Sequence, residues 1–310
     1  MTLSYNHTIA PYEPKSNHMT EKQIETEKSI TVLGLGLMGT AIAKRFLAHG
    51  WKVYVWNRTR DKSDPLLQIG AQWTDRPLAS SSLCLISLYN SDAVKEVFEN
   101  SQAYEWTTKW IIDTTTGSPH EVEPLAQFAR EKGVAYLDAP ISGSSQQTLD
   151  GEATVIVGGT ASDFKACENV WKCLGNKVYH TGNVGTASKL KLVSNLILGL
   201  NRLALAEGLA YAESLGLPMQ QTLDILKASA AYSKVMDVKG RKMLDRDYSV
   251  QARLHQHLKD VHIILASAAS HGQSLPTTTL HEELLSRAVS LGFADYDNCA
   301  ILEVLRGKTT

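Results

Sequence analysis

Residues 29–50 read SITVLGLGLMGTAIAKRFLAHG. A short apolar run ends in glycines, and the rest continues with helical spacing up to Gly50. The pattern predicts a strand, a tight turn and a helix in immediate succession. Gly34, Gly36 and Gly39 stand in that turn as G-x-G-x-x-G. Gly34 permits the turn, Gly36 lets backbone approach a pyrophosphate, and Gly39 allows the helix to pack closely on the sheet. The helix N-terminus adds unpaired N–H groups and positive potential. Three glycines alone also mark simple turns. Their strand-turn-helix setting points instead to a dinucleotide site built from Gly34, Leu35, Gly36, Leu37, Met38 and Gly39.

Working outward, WKVYVWNRT (51–59) reads as the second strand. At its end an NAD site usually presents Asp or Glu to the ribose hydroxyls, whereas this chain has Asn57, Arg58 and Thr59. Arg58 can pair with a 2′-phosphate, and no acid stands there to repel it, so the expected cofactor is NADP(H). The competing role for Arg58 is stacking on adenine or simple solvation. Apolar runs recur at LCLISL (83–88), WIIDTTT (110–116), VAYLDAP (134–140) and ATVIVGG (153–159), separated by helix-like stretches. Such alternation predicts an α/β fold with a doubly wound, mostly parallel sheet. After KVYHTGNVG (177–185) strand signals stop, and helical periodicity runs to the C-terminus, broken at SLGLP (214–218), DRDYS (245–249) and SHGQSLP (270–276). The expected organisation is a disordered polar tail over 1–28, a Rossmann cofactor domain over 29–184 and an all-helical domain over 185–310.

Composition excludes several classes. A formal net charge of −1 leaves no electrostatic footprint for nucleic acid. Cys84, Cys167, Cys173 and Cys299 form no close pair and read as buried thiols in a reducing compartment. The most apolar stretch, 192–212, carries Asn195, Asn201, Arg202 and Glu207, which favours a buried helix over a membrane span. With no secretory pattern at the N-terminus, a cytoplasmic location is expected. His255 and His257 are two apart on a predicted helix and face different ways, so no metal site is expected.

Taken together, GLGLMG (34–39), VWNRT (55–59), DAPISGS (138–144), GTASKLKLVSN (185–195) and LKDVHIILASAASHGQSLP (258–276) resemble, in order, the segments of the β-hydroxyacid dehydrogenase family. That family includes 3-hydroxyisobutyrate dehydrogenases and glyoxylate/succinic semialdehyde reductases. The resemblance implies a substrate-binding segment with Ser142, Gly143 and Ser144, and a catalytic lysine followed four positions later by an asparagine. Lys189 and Lys191 lie about 200° apart on a helix, so one pocket cannot receive both. Lys191 and Asn195 share a face, and the resemblance makes Lys191 the acid/base and Asn195 the group that orients the substrate. It also places Thr116 near the nicotinamide; the competing role for Thr116 is to cap the following helix. Lys259 is implied near the cofactor, or paired with an acid. A small carbonyl compound is the implied substrate, and a homodimer or homotetramer the implied assembly.

The chain departs from the family at Ser144, usually glycine, at Gln147-Thr148, usually Gly-Ala, and at Ala252, often Phe. These changes are expected to put polar groups along the substrate side and to remove an aromatic wall. Two other readings stand beside the reductase: an imine reductase, which typically lacks the lysine, and a non-catalytic NADP-binding module.

Overall fold

The computed structural model describes residues 28–307, so all but Lys28 of the expected tail lies outside it. Ser29–Leu33 (β1), Lys52–Trp56 (β2), Gln72–Trp73 (β3), Leu83–Ile86 (β4), Trp110–Asp113 (β5) and Ala135–Asp138 (β6) run parallel in the order β3-β2-β1-β4-β5-β6. The order reverses between β1 and β4, the switch point at which doubly wound sheets bind nucleotides. Ile141–Ser142 (β7), Thr154–Gly158 (β8) and Lys177–Gly182 (β9) extend the sheet, with β8 antiparallel to β6 and β7 and parallel to β9. The fold class is the α/β arrangement expected from the alternation. The strands β3 and β7 are two residues each, too short to show any periodicity.

All five residues of β1 are buried, as a central parallel strand covered on both faces requires. Side chains alternate across the sheet. Leu85, Ile112 and Leu137 join Ile42 and Phe46 of helix α1 (Leu37–Ala48) in one core. Cys84, Ile86 and Ile111 pack on the other face with Phe98 of α2 (Ser91–Asn100) and Val122 of α3 (Pro119–Glu131). The short α4 (Ser145–Asp150) leans on α1.

Beyond the sheet come α5 (Thr186–Ser214), α6 (Met219–Ala228), α7 (Leu254–Ser270), α8 (Pro276–Ala288) and α9 (Ile301–Leu305), which share a third core that includes Leu209, Leu223, Val261, Leu285 and Ile301. The three breaks foreseen in the helical half fall between helices. Asp138, at the end of β6, joins the halves: its carboxylate accepts the Gly185 N–H at 2.9 Å, the Ser188 N–H at 2.8 Å and the Ser188 hydroxyl at 2.9 Å. It thereby caps the otherwise unpaired amides at the start of α5, where a negative charge is favoured. These bonds anchor the first turn of α5 to the end of β6.

Helix α5 is long and apolar enough to cross a membrane by length and composition. Its inward stripe carries Ser188, Lys191, Asn195, Gly199 and Arg202, while Leu190, Val193 and Ile197 are exposed on the opposite side.

Candidate active site

The carboxyl ends of β1, β2, β4 and β5 open into a cleft of about 640 Å³ that α5 and α7 close from the other side. The glycine turn forms one end. Gly34 has φ +96°, and a Cβ there would lie 2.2 Å from the Ser87 carbonyl oxygen. At Gly39 a Cβ would lie 1.9 Å from the Gly34 oxygen. Both glycines are therefore required by the fold itself. Gly36 differs: a Cβ on it meets nothing within 4 Å, so the space it leaves belongs to whatever enters the cleft. No side chain caps α1 and no acid stands in its first turn, leaving its first amides and positive end directed at that space. These features fit a dinucleotide pyrophosphate.

Asn57 ties the turn to the end of β2. Its Oδ1 accepts the Leu35 N–H at 3.0 Å and its Nδ2 donates to the Thr59 carbonyl at 2.8 Å. Arg58 and Thr59 are exposed and line the cleft. Arg58 forms no ion pair or hydrogen bond with another described residue, so its guanidinium is available to an anion. Lys62, which no motif in the sequence marks, lines the same end. It stands four positions after Arg58 on a short 3₁₀ turn, Arg60–Ser63, which brings it back over the site.

At the far end Lys191 is 7 % exposed and donates to the Ile141 carbonyl at 2.8 Å. Burial pulls its pKa down from the usual lysine value to about 8, against a smaller opposing pull from Asp260. Lys189 is exposed, as the helix geometry requires. Asn195 is buried and donates from Nδ2 to Asp260 Oδ2 at 3.0 Å. Lys259 lies 3.2 Å from Asp260 Oδ1 as an ion pair, and it donates to the carbonyls of Tyr89 at 2.8 Å and Thr116 at 3.1 Å. Burial raises the Asp260 pKa while Lys259 and Lys191 lower it. The network joins α7 to the sheet edge and holds Asn195 beside Lys191.

Gly34 to Met38, Asn57, Arg58, Thr59, Thr116, Gly143, Lys191 and Asn195 all line this one cleft. Gly39, Ser142, Ser144 and Lys259 stand behind its wall. Thr116 does not cap α3: Ser118 is the cap residue, and its N–H donates to Glu121 at 3.0 Å. The Ser142 hydroxyl meets that of Ser194 at 3.4 Å.

The departures at 144, 147 and 148 are not on the substrate side. Ser144 and Gln147 form a capping box for α4, the Ser144 Oγ accepting the Gln147 N–H at 3.2 Å and Gln147 Oε1 accepting the Ser144 N–H at 2.9 Å. Thr148 is buried, and its hydroxyl donates to the Ser144 carbonyl at 3.0 Å. Helix capping consumes these polar groups, and Ser145 lines the cleft instead. Ala252 does line it, so the wall where relatives often carry Phe is open. His255 and His257 are on the wall too, and among the described residues no cluster of metal-ligating side chains forms.

Family models cover both halves. Residues 29–182 match the NAD binding domain of 6-phosphogluconate dehydrogenase, and residues 185–305 match the NAD-binding of NADP-dependent 3-hydroxyisobutyrate dehydrogenase. Glyoxylate/succinic semialdehyde reductase 1 of Arabidopsis thaliana is 31% identical over 280 residues, which cover 88% of this chain and 97% of that protein. The chain belongs to the β-hydroxyacid dehydrogenase family.

As a β-hydroxyacid dehydrogenase relative, it carries the NAD(P)-binding fold of that oxidoreductase family. It is also 30% identical to the cytokine-like nuclear factor N-PAC of Drosophila melanogaster over 93% of its own length, but it spans only about half, 49%, of that protein. Among solved structures, 3-hydroxyisobutyrate dehydrogenase from Salmonella typhimurium shares the fold with a TM-score of 0.81 at 23% identity, covering 89% of this chain and 99% of that one. A reductive aminase from Aspergillus terreus, in complex with NADPH and ethyl levulinate, is 26% identical with a TM-score of 0.59, covering 91% and 100%.

Proposed function

We propose that this chain reduces a small aldehyde or ketoacid with NADPH, Lys191 supplying the proton to the carbonyl oxygen. The observation that carries the reading is the buried Lys191 ammonium, in one cleft with the glycine turn and held 2.8 Å from the Ile141 carbonyl.

A bound nicotinamide supplies hydride to the carbonyl carbon. The protein has to manage the charge that then develops on oxygen. Lys191 does so as a cation at low dielectric and then gives up a proton from Nζ; in the oxidative direction the neutral amine accepts one. A pKa near 8 leaves both forms accessible close to neutral pH. The Ile141 carbonyl aims the ammonium, and Asn195, anchored by Asp260, presents its amide to the substrate. The backbone at Gly143, the member of the 142–144 segment that lines the cleft, offers the substrate a neutral donor. Arg58, assisted by Lys62, binds the 2′-phosphate of NADPH.

The working form is a homodimer or homotetramer that covers Leu190, Val193 and Ile197 of α5, and the protein acts in the cytoplasm with units 29–184 and 185–310. The likeness to the reductive aminase favours an imine reductase as a second reading, and a non-catalytic NADP-binding module is the third. Lys191 speaks against both.

Consumption of NADPH and NADH with glyoxylate, succinic semialdehyde and a cyclic imine separates them. We expect carbonyl reduction with NADPH favoured over NADH by about tenfold to a hundredfold, the worth of charge-assisted bonds to one phosphate. Arg58→Ala should erase most of that preference. Equal use of NADH removes the cofactor assignment, turnover of the imine alone shifts the reading to imine reduction, and NADPH binding without any turnover makes the chain a binding module.

A further inference from the structure

Arg202 has no place in the chemistry above. It follows Lys191 by three turns of α5 on the same face, about 20° away in rotation and about 16 Å along the axis. Its side chain leans back toward Lys191, since helical side chains tilt toward the N-terminus. It lines the cleft and is 5 % exposed, yet Nε and Nη1 are buried without a partner. A buried guanidinium with unmet donors is costly unless an anion completes it.

The nearby carboxylate is already committed. Asp297 accepts Lys239 Nζ at 2.8 and 2.9 Å, as well as the amides of Gln251, Ala252 and Cys299. Arg253, the other arginine on this wall, is paired to Asp295 at 3.1 Å. Between Lys191 and Arg202 sits His257, another cleft residue whose Nε2 is buried and unpartnered. Gly199 makes room for it, since a Cβ there would lie 2.7 Å from that nitrogen. Burial, Arg202, His281 and Lys191 all hold His257 well below the usual histidine range, so it is neutral. Beyond the Lys191 ammonium, the unpaired charge along this face of α5 is the single positive one of Arg202, beside an imidazole able to donate or accept.

We propose that Arg202 and His257 form an anion subsite for a carboxylate at the far end of an elongated substrate. This rests on the reductase reading and refines it: the substrate is an ω-oxocarboxylate whose acid group is several bonds from the reacting carbonyl. Arg202 sits too far along α5 to meet a carboxylate on the adjacent carbon, and one cation matches a monoanion. It acts as a specificity residue and leaves proton transfer to Lys191.

The test compares ω-oxocarboxylates of four to eight carbons with alkanals of equal length, using NADPH and the full chain. Wild type should prefer the charged member at one or more lengths by about tenfold or more in kcat/KM. Arg202→Met should cut kcat/KM for that substrate about tenfold to a hundredfold through KM, with the alkanal within about twofold, and Arg202→Lys should recover part of the loss. Equal use of both classes by wild type, or an equal loss on both classes in the variants, overturns the proposal. Should Arg202→Met not fold, the wild-type preference and the Arg202→Lys loss decide. Should no aldehyde be reduced, the reductase reading fails, and calorimetric titration with hexanoate and hexanol still judges the subsite. Tighter binding of hexanoate by wild type, weakened in Arg202→Lys, upholds it; no difference between the two ligands overturns it.

Discussion

Lys191→Ala is expected to lower kcat for carbonyl reduction by about a thousandfold while the Kd for NADPH stays within about twofold. A positioned general acid contributes about 10²- to 10⁴-fold, and this one also carries the charge that meets the developing oxyanion. The cofactor contacts lie elsewhere. Pyrophosphate and 2′-phosphate would be held at the glycine turn and at Arg58, at the opposite end of the cleft from the Lys191–Ile141 bond. Removing the side chain also removes a buried cation that has only a carbonyl as hydrogen-bond partner, so the fold should survive. Lys189→Ala, at an exposed position two residues earlier, is the control and should leave kcat unchanged. Single-turnover rates with calorimetric NADPH titration measure both quantities. Near-normal turnover in Lys191→Ala would refute the assignment.

The second large effect separates three glycines that look alike in sequence. Gly36→Ala should fold with unchanged stability, because φ at 36 is −74° and its Cβ would meet nothing within 4 Å. It should nevertheless weaken NADPH binding by about a hundredfold, since the methyl group occupies the approach of the pyrophosphate to the α1 amides. Gly39→Ala and Gly34→Ala should instead destabilise the fold by about 3 kcal/mol or more. Their Cβ atoms would press on backbone oxygens at 1.9 and 2.2 Å, and Gly34 has the added strain of φ +96°. Denaturant unfolding and cofactor titration on the three variants read the two effects apart. Loss of stability in Gly36→Ala, or retained cofactor affinity in a folded Gly36→Ala, would contradict this division.

Local chemistry makes much of the molecule legible in the sequence. The strand-glycine-helix succession at 29–50 announces itself over a few residues, and helical geometry separates Lys191 from Lys189 without knowledge of the neighbours. The relation of one segment to another was hidden. Asp138 sits in a segment that resembles a substrate-binding one, yet its carboxylate caps α5 across 47 to 50 residues. From sequence Ser144, Gln147 and Thr148 read as substrate-side groups, because a capping box and a substrate wall both call for polar residues. The four-residue S-x-x-Q spacing was the available signal. Lys62 needed the 3₁₀ turn after β2 to reach the cleft. Arg202 stands in the most apolar stretch of the chain, where from sequence its charge speaks only against a membrane span. Its rotation onto the Lys191 face was computable, but the absence of a partner for its guanidinium was not, because Asp297 and Lys239 come together only in the folded helical core.

The most direct test of the central claim, that Lys191 exchanges the proton, is the pH dependence of kcat/KM in both directions for the wild-type protein. Burial lowers the Lys191 pKa from 10.5 to about 8, so the ammonium predominates below pH 8 and the amine above it. Carbonyl reduction, which needs the ammonium, should be level on the acid side and fall about tenfold per pH unit above about 8. Alcohol oxidation, which needs the amine, should show the mirror image, rising about tenfold per unit and levelling above about 8. Profiles in which neither direction breaks near that pH, or both break with the same sign, would contradict the account.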